Sequence, residues 1–318
     1  MKKLGNIFKK SLMYLLLTVV FVTAVGAVYY FCLNTKSAKA YLEQRHLNVP
    51  YKETETGQLK LDIYMPKRKL FTKTPVLVYF HGGSWKSGSK NLKEKDLELF
   101  NIFFEAGFAL VSADYRLTSE VNKFPVHADD GADAVRWVIK NAETYGFHKN
   151  KVNLIGASAG GHMVLLLGMA GDRFGDNTAG NKDFQIRSII DLCGPKDLTD
   201  LSDYTPDELP EIEDLLVEFL GGTYEEKKDL YELASPIYHV RKDVPPIFMA
   251  HGRNDEMVPF PQAEKFFQKA KSANAKVKFV PVDNANHYFQ APENETTNPP
   301  IWKVFLKMAL FLLKNNIF

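Results

Sequence analysis

The sequence predicts an α/β protein built on a mostly parallel sheet. Three observations carry that expectation. Short, continuously apolar runs of strand length recur along the chain, as in Pro75-Val76-Leu77-Val78-Tyr79-Phe80 and Pro246-Ile247-Phe248-Met249-Ala250. Such runs suit strands buried on both faces. Helical stretches separate them, and strands alternating with helices imply βαβ units. Length and composition agree: 318 residues, 45% hydrophobic and 25% charged, suit one large α/β domain with a short extra segment.

Taken in order, the first forty residues stand apart. Lys2, Lys3, Lys9 and Lys10 precede an uncharged run of 23 residues from Ser11 to Leu33. At about 1.5 Å per residue it would span a hydrocarbon core of roughly 30 Å. The lysines would then stay cytoplasmic, with Tyr29, Tyr30 and Phe31 at the distal interface. A cleavable signal peptide is the competing reading, with Ala38-Lys39-Ala40 as a small-x-small cleavage site. Residues 1–40 are therefore expected to be an N-terminal transmembrane helix or signal, and residues 34–48 a connector. Either reading leaves the rest of the chain, residues 41–318, outside the cytoplasm.

Tyr51 to Met65 alternates around Gly57 and predicts an edge hairpin. Strands are expected near 75–80, 108–113, 151–155, 189–192, 246–250 and 277–282. Helices are expected over Leu92–Ala106, Asp129–Tyr145, Gly160–Met169, Pro261–Ala273 and Trp302–Lys314. The acidic stretch 197–238, helix-forming from Glu208 to Phe219, breaks the rhythm. It reads as a small helical, cap-like insertion over the carboxyl edge of the sheet, where such folds bind ligands.

Composition excludes several functions. A formal net charge of +2 leaves no electrostatic footprint for nucleic acid. Two cysteines, Cys32 and Cys193, make no disulfide framework, and no C-x-x-C or H-E-x-x-H spacing suggests a metal. Neither a cofactor nor a metal is expected.

The chemistry resides in Gly156-Ala157-Ser158-Ala159-Gly160-Gly161, between the strand ending at Ile155 and the helix starting near His162. A serine between glycines at a strand-to-helix turn is the context of a nucleophile elbow, where the hydroxyl protrudes and the following amide can face an oxyanion. Glycine, alanine and serine also fill ordinary βα turns, so the remaining members of a constellation decide. The serine needs a base, itself oriented by a third group. Four histidines follow Ser158: His162, His239, His251 and His287. His162 lies one turn into the helix behind the elbow, His239 precedes a strand, and His251 ends one. His287 follows the last strand, in a loop where a base belongs. For the acid, Asp255 follows the strand ending at Ala250-His251, with Glu256 as its nearest competitor; Asp283 shares the loop of His287. A second oxyanion amide is expected from His81-Gly82-Gly83-Ser84-Trp85, through Gly83 and also Gly82, beside that of Ala159. Trp85 either lines the pocket or covers the sheet.

With these pieces in that order, the chain resembles the α/β-hydrolase superfamily. Within it, it is similar to the hormone-sensitive-lipase-like and bacterial feruloyl or acetyl-xylan esterase-like branch. The resemblance rests on His81-Gly82-Gly83, Ser112-Ala113-Asp114-Tyr115-Arg116-Leu117, Gly156–Gly161, Ala234-Ser235-Pro236-Ile237 and His251-Gly252 with Asp255, Val258-Pro259 and His287. It implies an eight-stranded sheet, ester hydrolysis through an acyl-enzyme, and a structural rather than catalytic role for Asp114-Tyr115-Arg116. Ser84 departs from the third glycine of many lipase-like relatives. Kynurenine formamidases carry a similar loop, which adds amides to the substrates the resemblance allows. The expected activity is that of a serine carboxylesterase acting on a small-molecule or polysaccharide-linked ester. The alternatives are a serine amidase or peptidase of this fold, and an inactive binding protein.

Overall fold

The computed structural model describes residues 37–176 and 184–317. Eight strands form one sheet in the order β1-β2-β4-β3-β5-β6-β7-β8. They are β1 (Leu42–Thr54), β2 (Gly57–Pro66), β3 (Thr74–Phe80), β4 (Ala109–Ala113), β5 (Phe147–Ala157), β6 (Ile186–Leu192), β7 (Ile247–Gly252) and β8 (Val277–Val282). The pairs β1·β2 and β2·β4 are antiparallel and the rest parallel, so the parallel core expected from the apolar runs is present. The expected hairpin is longer at its start. β1 begins at Leu42 and pairs from Leu42↔Pro66 to Thr54↔Gly57, around a two-residue loop.

Period-two alternation divides the core between the two faces. On β3, Val76, Val78 and Phe80 face one hydrophobic cluster and Leu77 the other; on β4, Val111 and Leu110 divide the same way. The first face carries helices α3 (Val126–Lys140), α4 (Ala142–Tyr145) and α5 (Ala159–Ala170). The second carries α1 (Glu94–Glu98), α2 (Asn101–Glu105) and the C-terminal α9 (Ile301–Ile317). The insertion folds as α6 (Leu209–Leu220) and α7 (Tyr224–Ala234), and α8 (Phe260–Ser272) precedes β8.

Two long helices expected from the sequence are each divided. The stretch 92–106 forms α1 and α2, with Leu99 and Phe100 between them. The break lets Leu99 turn outward, 56% exposed, while Leu97 and Phe100 stay in the core. The stretch 129–145 divides at Asn141, whose side-chain amide donates to the Trp137 carbonyl, and it ends at Gly146 with φ 69°.

The N-terminus also differs from the expected connector. Residues Ala38–Ala40 form a 3-10 turn, Ala38 is wholly buried, and the Ser37 hydroxyl and Lys39 amide donate to Glu94 of α1 at 2.8 and 3.1 Å. The folded unit therefore begins no later than Ser37, because these residues pack on the sheet domain. Among the described residues no helix is long and apolar enough to cross a membrane. The run 11–33, expected to do so, lies outside the described residues.

Candidate active site

The elbow is shaped by close backbone approach. Ser158 closes β5 and caps α5 at φ 55°, ψ −125°, a conformation costly for any side-chain-bearing residue. Its amide is tied to the Leu192 carbonyl at 2.9 Å. A Cβ on Gly156 would lie 2.2 Å from the Gly160 carbonyl oxygen, and one on Gly160 would lie 2.0 Å from that of Phe80. Only glycine fits either position, which is why the motif has its spacing.

The His81–Trp85 loop runs over this turn. A Cβ on Gly82 would meet the Ala157 oxygen at 2.9 Å and the Ser158 Cβ at 3.3 Å, so the loop passes directly over the serine. Gly83 takes φ +115°. The turn after it is closed by the Lys86 and Ser87 amides, both donating to the Gly83 carbonyl at 3.0 Å. Tyr115 braces the loop from beneath: its hydroxyl donates to the His81 carbonyl at 2.9 Å and its ring stacks on His81 at 4.3 Å. Asp114 accepts the Lys90 amide at 2.7 Å, and Arg116 makes a two-pronged contact with buried Asp130 at 2.8 Å per prong. The Asp114-Tyr115-Arg116 stretch thus lies in the scaffold.

Trp85 is 2% exposed, packed against the helices behind it, and it also contributes to the wall of a cavity beneath the insertion. Its indole N–H donates to His162 Nδ1 at 3.2 Å, while His162 Nε2 donates to the Ala234 carbonyl at 2.7 Å. Those two bonds define a neutral imidazole, and burial lowers the His162 pKa to about 4. Trp85 also stacks on Phe219 of α6 at 4.2 Å, which locks the loop to the insertion.

His287 and Asp255 are in direct contact. Nδ1 of His287 lies 2.9 Å from both carboxylate oxygens. Both partners are acceptors, so Nδ1 carries a proton, and it is the neutral ring in this tautomer that has a lone pair on Nε2. Oδ1 of Asp255 also accepts the Met257 and Val258 amides at 3.0 and 2.9 Å. Burial works to raise the Asp255 pKa, but hydrogen bonds from His251 and His287 overcome it and hold the carboxyl well below its usual range. Glu256 only reaches the His287 backbone amide, at 3.4 Å. Asp283 pairs with Arg253 at 2.8 Å.

Two participants were not legible in the sequence. His251, set aside as a strand-end residue, places Nε2 3.1 Å from Asp255 Oδ2 and 2.8 Å from the Val258 carbonyl. Both are acceptors, so His251 donates to the far side of the carboxylate and steadies it. A second histidine following a buried strand, four residues before the acid, was the only available signal. Cys193 sits against the same pair, its thiol donating to the His287 carbonyl at 3.5 Å. Among the described residues, Cys193, Asp255 and His287 are the one group whose donor atoms cluster closely enough to suggest a metal. Burial pushes the thiol pKa up, and both carboxylate oxygens already accept N–H groups, so the donor set suits a hydrogen-bond relay.

Ser158 opens onto two cavities. One, of about 520 Å³, is lined by Gly82, Gly83, Ser158 and His287 on one side and by Leu99 and the α9 residues Val304, Phe305 and Met308 on the other. The C-terminal helix thus forms a wall of this cavity as well as packing on the sheet. The second, of about 700 Å³, lies beneath the insertion and includes Ser158, Ala159, Tyr204 and the carboxylates of Asp197, Glu208 and Glu211. Ser158, His287, Gly82 and Gly83 therefore share one cavity, with Ala159 beside the serine in the other.

The chain is similar to esterase LipC of Mycobacterium tuberculosis, 26% identical over 79% of this chain and 61% of that protein. It is 31% identical to the probable carboxylic ester hydrolase LipM of the same organism, over 67% of this chain and 49% of that one. The chain spans between about half and three fifths of the length of these relatives. Among solved structures, a truncated carbohydrate esterase from gut microbiota superposes with a TM-score of 0.72, at 26% identity over 89% of this chain and 100% of that one. Esterase 2 of Thermogutta terrifontis phosphonylated by sarin superposes with a TM-score of 0.70, at 27% identity over 86% and 96%. The BD-FAE family model matches residues 61–270. With its α/β-hydrolase sheet and a match over more than half its length, the chain belongs to the BD-FAE family.

Proposed function

We propose that this protein is a serine carboxylesterase working through an acyl-enzyme. Ser158 Oγ attacks the ester carbonyl as His287 Nε2 takes its proton. Asp255 holds the imidazole in the required tautomer and balances its charge. The amides of Ala159 and Gly83, with Gly82 beside them, stabilise the tetrahedral oxyanion. The imidazolium then protonates the leaving alcohol, and water repeats the sequence to release the acid. The observation that carries this reading is the Asp255–His287 pair, at 2.9 Å, opening into the cavity that Ser158 and Gly82-Gly83 line.

The two cavities support an amphiphilic ester: an apolar arm against Leu99 and α9, and a hydroxyl-rich arm among the carboxylates beneath the insertion. The carbohydrate esterase structure from gut microbiota among the neighbours fits the second arm. The lysine-flanked run 11–33 supports an anchor that keeps the catalytic domain outside the cytoplasm.

Reaction of the intact protein with a fluorophosphonate, followed by mapping of the adduct, tests the chemistry. Labelling at Ser158, lost in Ser158→Ala along with hydrolysis of p-nitrophenyl butyrate, is the expected result. Undiminished turnover by a folded Ser158→Ala protein would refute it.

A further inference from the structure

The apolar residues around the α9-walled cavity are arranged about its opening, and the start of the folded chain is fastened beside them. Leu99, Met257 and Tyr288 line that cavity yet are 56%, 39% and 66% exposed. Trp302, next to the lining residue Ile301 at the start of α9, is 41% exposed. Large exposed side chains gathered at one opening differ from apolar residues scattered singly over a surface. Tyrosine and tryptophan favour the boundary between lipid and water.

The second observation is the length of the tether. Ser37 and Lys39 are bonded to Glu94, the first residue of α1, and Leu99 caps the other end of that same helix. Only residues 34–36 separate the uncharged run from Ser37. From Leu33 to Ser37 the chain reaches at most about 14 Å. Adding about 8 Å along α1 and a similar side-chain span, Leu99 stays within about 30 Å of the end of the run. A folded unit of this size is about 50 Å across. The opening thus lies within about three fifths of the domain's width of the anchor.

We infer that the catalytic domain docks on the bilayer with the rim of Leu99, Met257, Tyr288 and Trp302, so that the apolar cavity receives its ester from the membrane. This rests on reading residues 11–33 as a membrane anchor, and it names the source of the apolar arm proposed above. The short tether replaces a diffusional search by a fixed orientation, and lengthening it lowers the effective concentration of the rim at the surface.

The test uses the full chain in phosphatidylcholine vesicles and two independent readouts. With brominated acyl chains in the bilayer, tryptophan emission falls, and Trp302→Phe removes that quenching, because Trp85 is buried and Trp137 packs half-buried on the opposite face of the sheet. A twelve-residue Gly-Ser insertion between Asn34 and Thr35 leaves hydrolysis of water-soluble p-nitrophenyl acetate unchanged and lowers that of a bilayer-dissolved long-chain ester several-fold. Quenching without hydrolysis of either ester supports the docking and overturns the proposed chemistry instead. Recovery of the full chain in the aqueous fraction, absence of quenching, or equal rates with and without the insertion overturns the docking. So does self-crosslinking through the rim in place of quenching, which assigns the face to a second copy.

Discussion

Replacing Asp255 by asparagine removes one charge and almost no volume, and the surrounding donors dictate which way the new amide faces. The Met257 and Val258 amides both point at Oδ1, so the asparagine oxygen must take that position. Its NH₂ group then faces His287 Nδ1 and His251 Nε2. A donor opposite Nδ1 favours the imidazole tautomer protonated at Nε2, which cannot accept the Ser158 proton. His251 meets a donor as well and loses its carboxylate partner. The same isosteric change in serine proteases lowers kcat about 10⁴-fold, or about 5.4 kcal/mol of transition-state stabilisation, and a similar loss is expected here. Steady-state kcat on p-nitrophenyl butyrate measures it, with circular dichroism and the rate of fluorophosphonate labelling as companions. A folded Asp255→Asn protein with kcat within tenfold of the parent would show that the carboxylate does not set the tautomer.

Three further expectations follow from particular contacts. In Gly83→Ala the new Cβ would lie 2.3 Å from the Ser87 carbonyl at φ +115°, so the loop must shift and turnover should drop about 100- to 1,000-fold; unchanged kcat would exclude the Gly83 amide from the oxyanion hole. Phe219→Ala removes a fully buried ring stacked on Trp85 and should cost about 3–5 kcal/mol in urea denaturation, with kcat falling as the loop loosens; a loss below about 1 kcal/mol would refute the locking role. Burial lowers the pKa of His162 to about 4 and that of His127 to about 3, against an ordinary 6.5. The unfolded chain then binds protons first, so stability is full above pH 6.5 and falls as acidity increases. Each group should remove about 2 kcal/mol between pH 7 and 5, and denaturation midpoints that stay constant over that range would contradict the assignment.

Much of the constellation was open to reading because its members lie at the ends of strands, where sequence periodicity stops and chemistry-bearing residues begin. Ser158, Asp255 and His287 each follow a run whose burial on both faces is written in its apolar residues. The choice between Asp255 and Glu256 was not open in that way. It depended on which carboxylate the loop turns inward, and paired amides from Met257 and Val258 do the turning. The role of His251 was hidden too, because chain order says nothing about a partner that reaches an acid from behind. The division of the 92–106 helix was also hidden, since Leu99 and Leu97 look alike until one is packed and the other faces a cavity.

By itself the sequence determined the strand and helix alternation and the strained serine turn, and it put Asp255 and His287 in the loops after later strands. Each of these follows from local periodicity, steric size or the position of a residue after a strand. Only the tertiary structure decided what depends on contacts between distant segments. It joined Trp85 to Phe219 and His162, put His251 behind Asp255, and made the C-terminal helix a wall of the cavity. It also fastened Ser37 to Glu94, turning an expected connector into part of the folded domain. These contacts join residues far apart along the chain, so no local pattern encodes them; they exist only once the sheet has brought its edges and loops together.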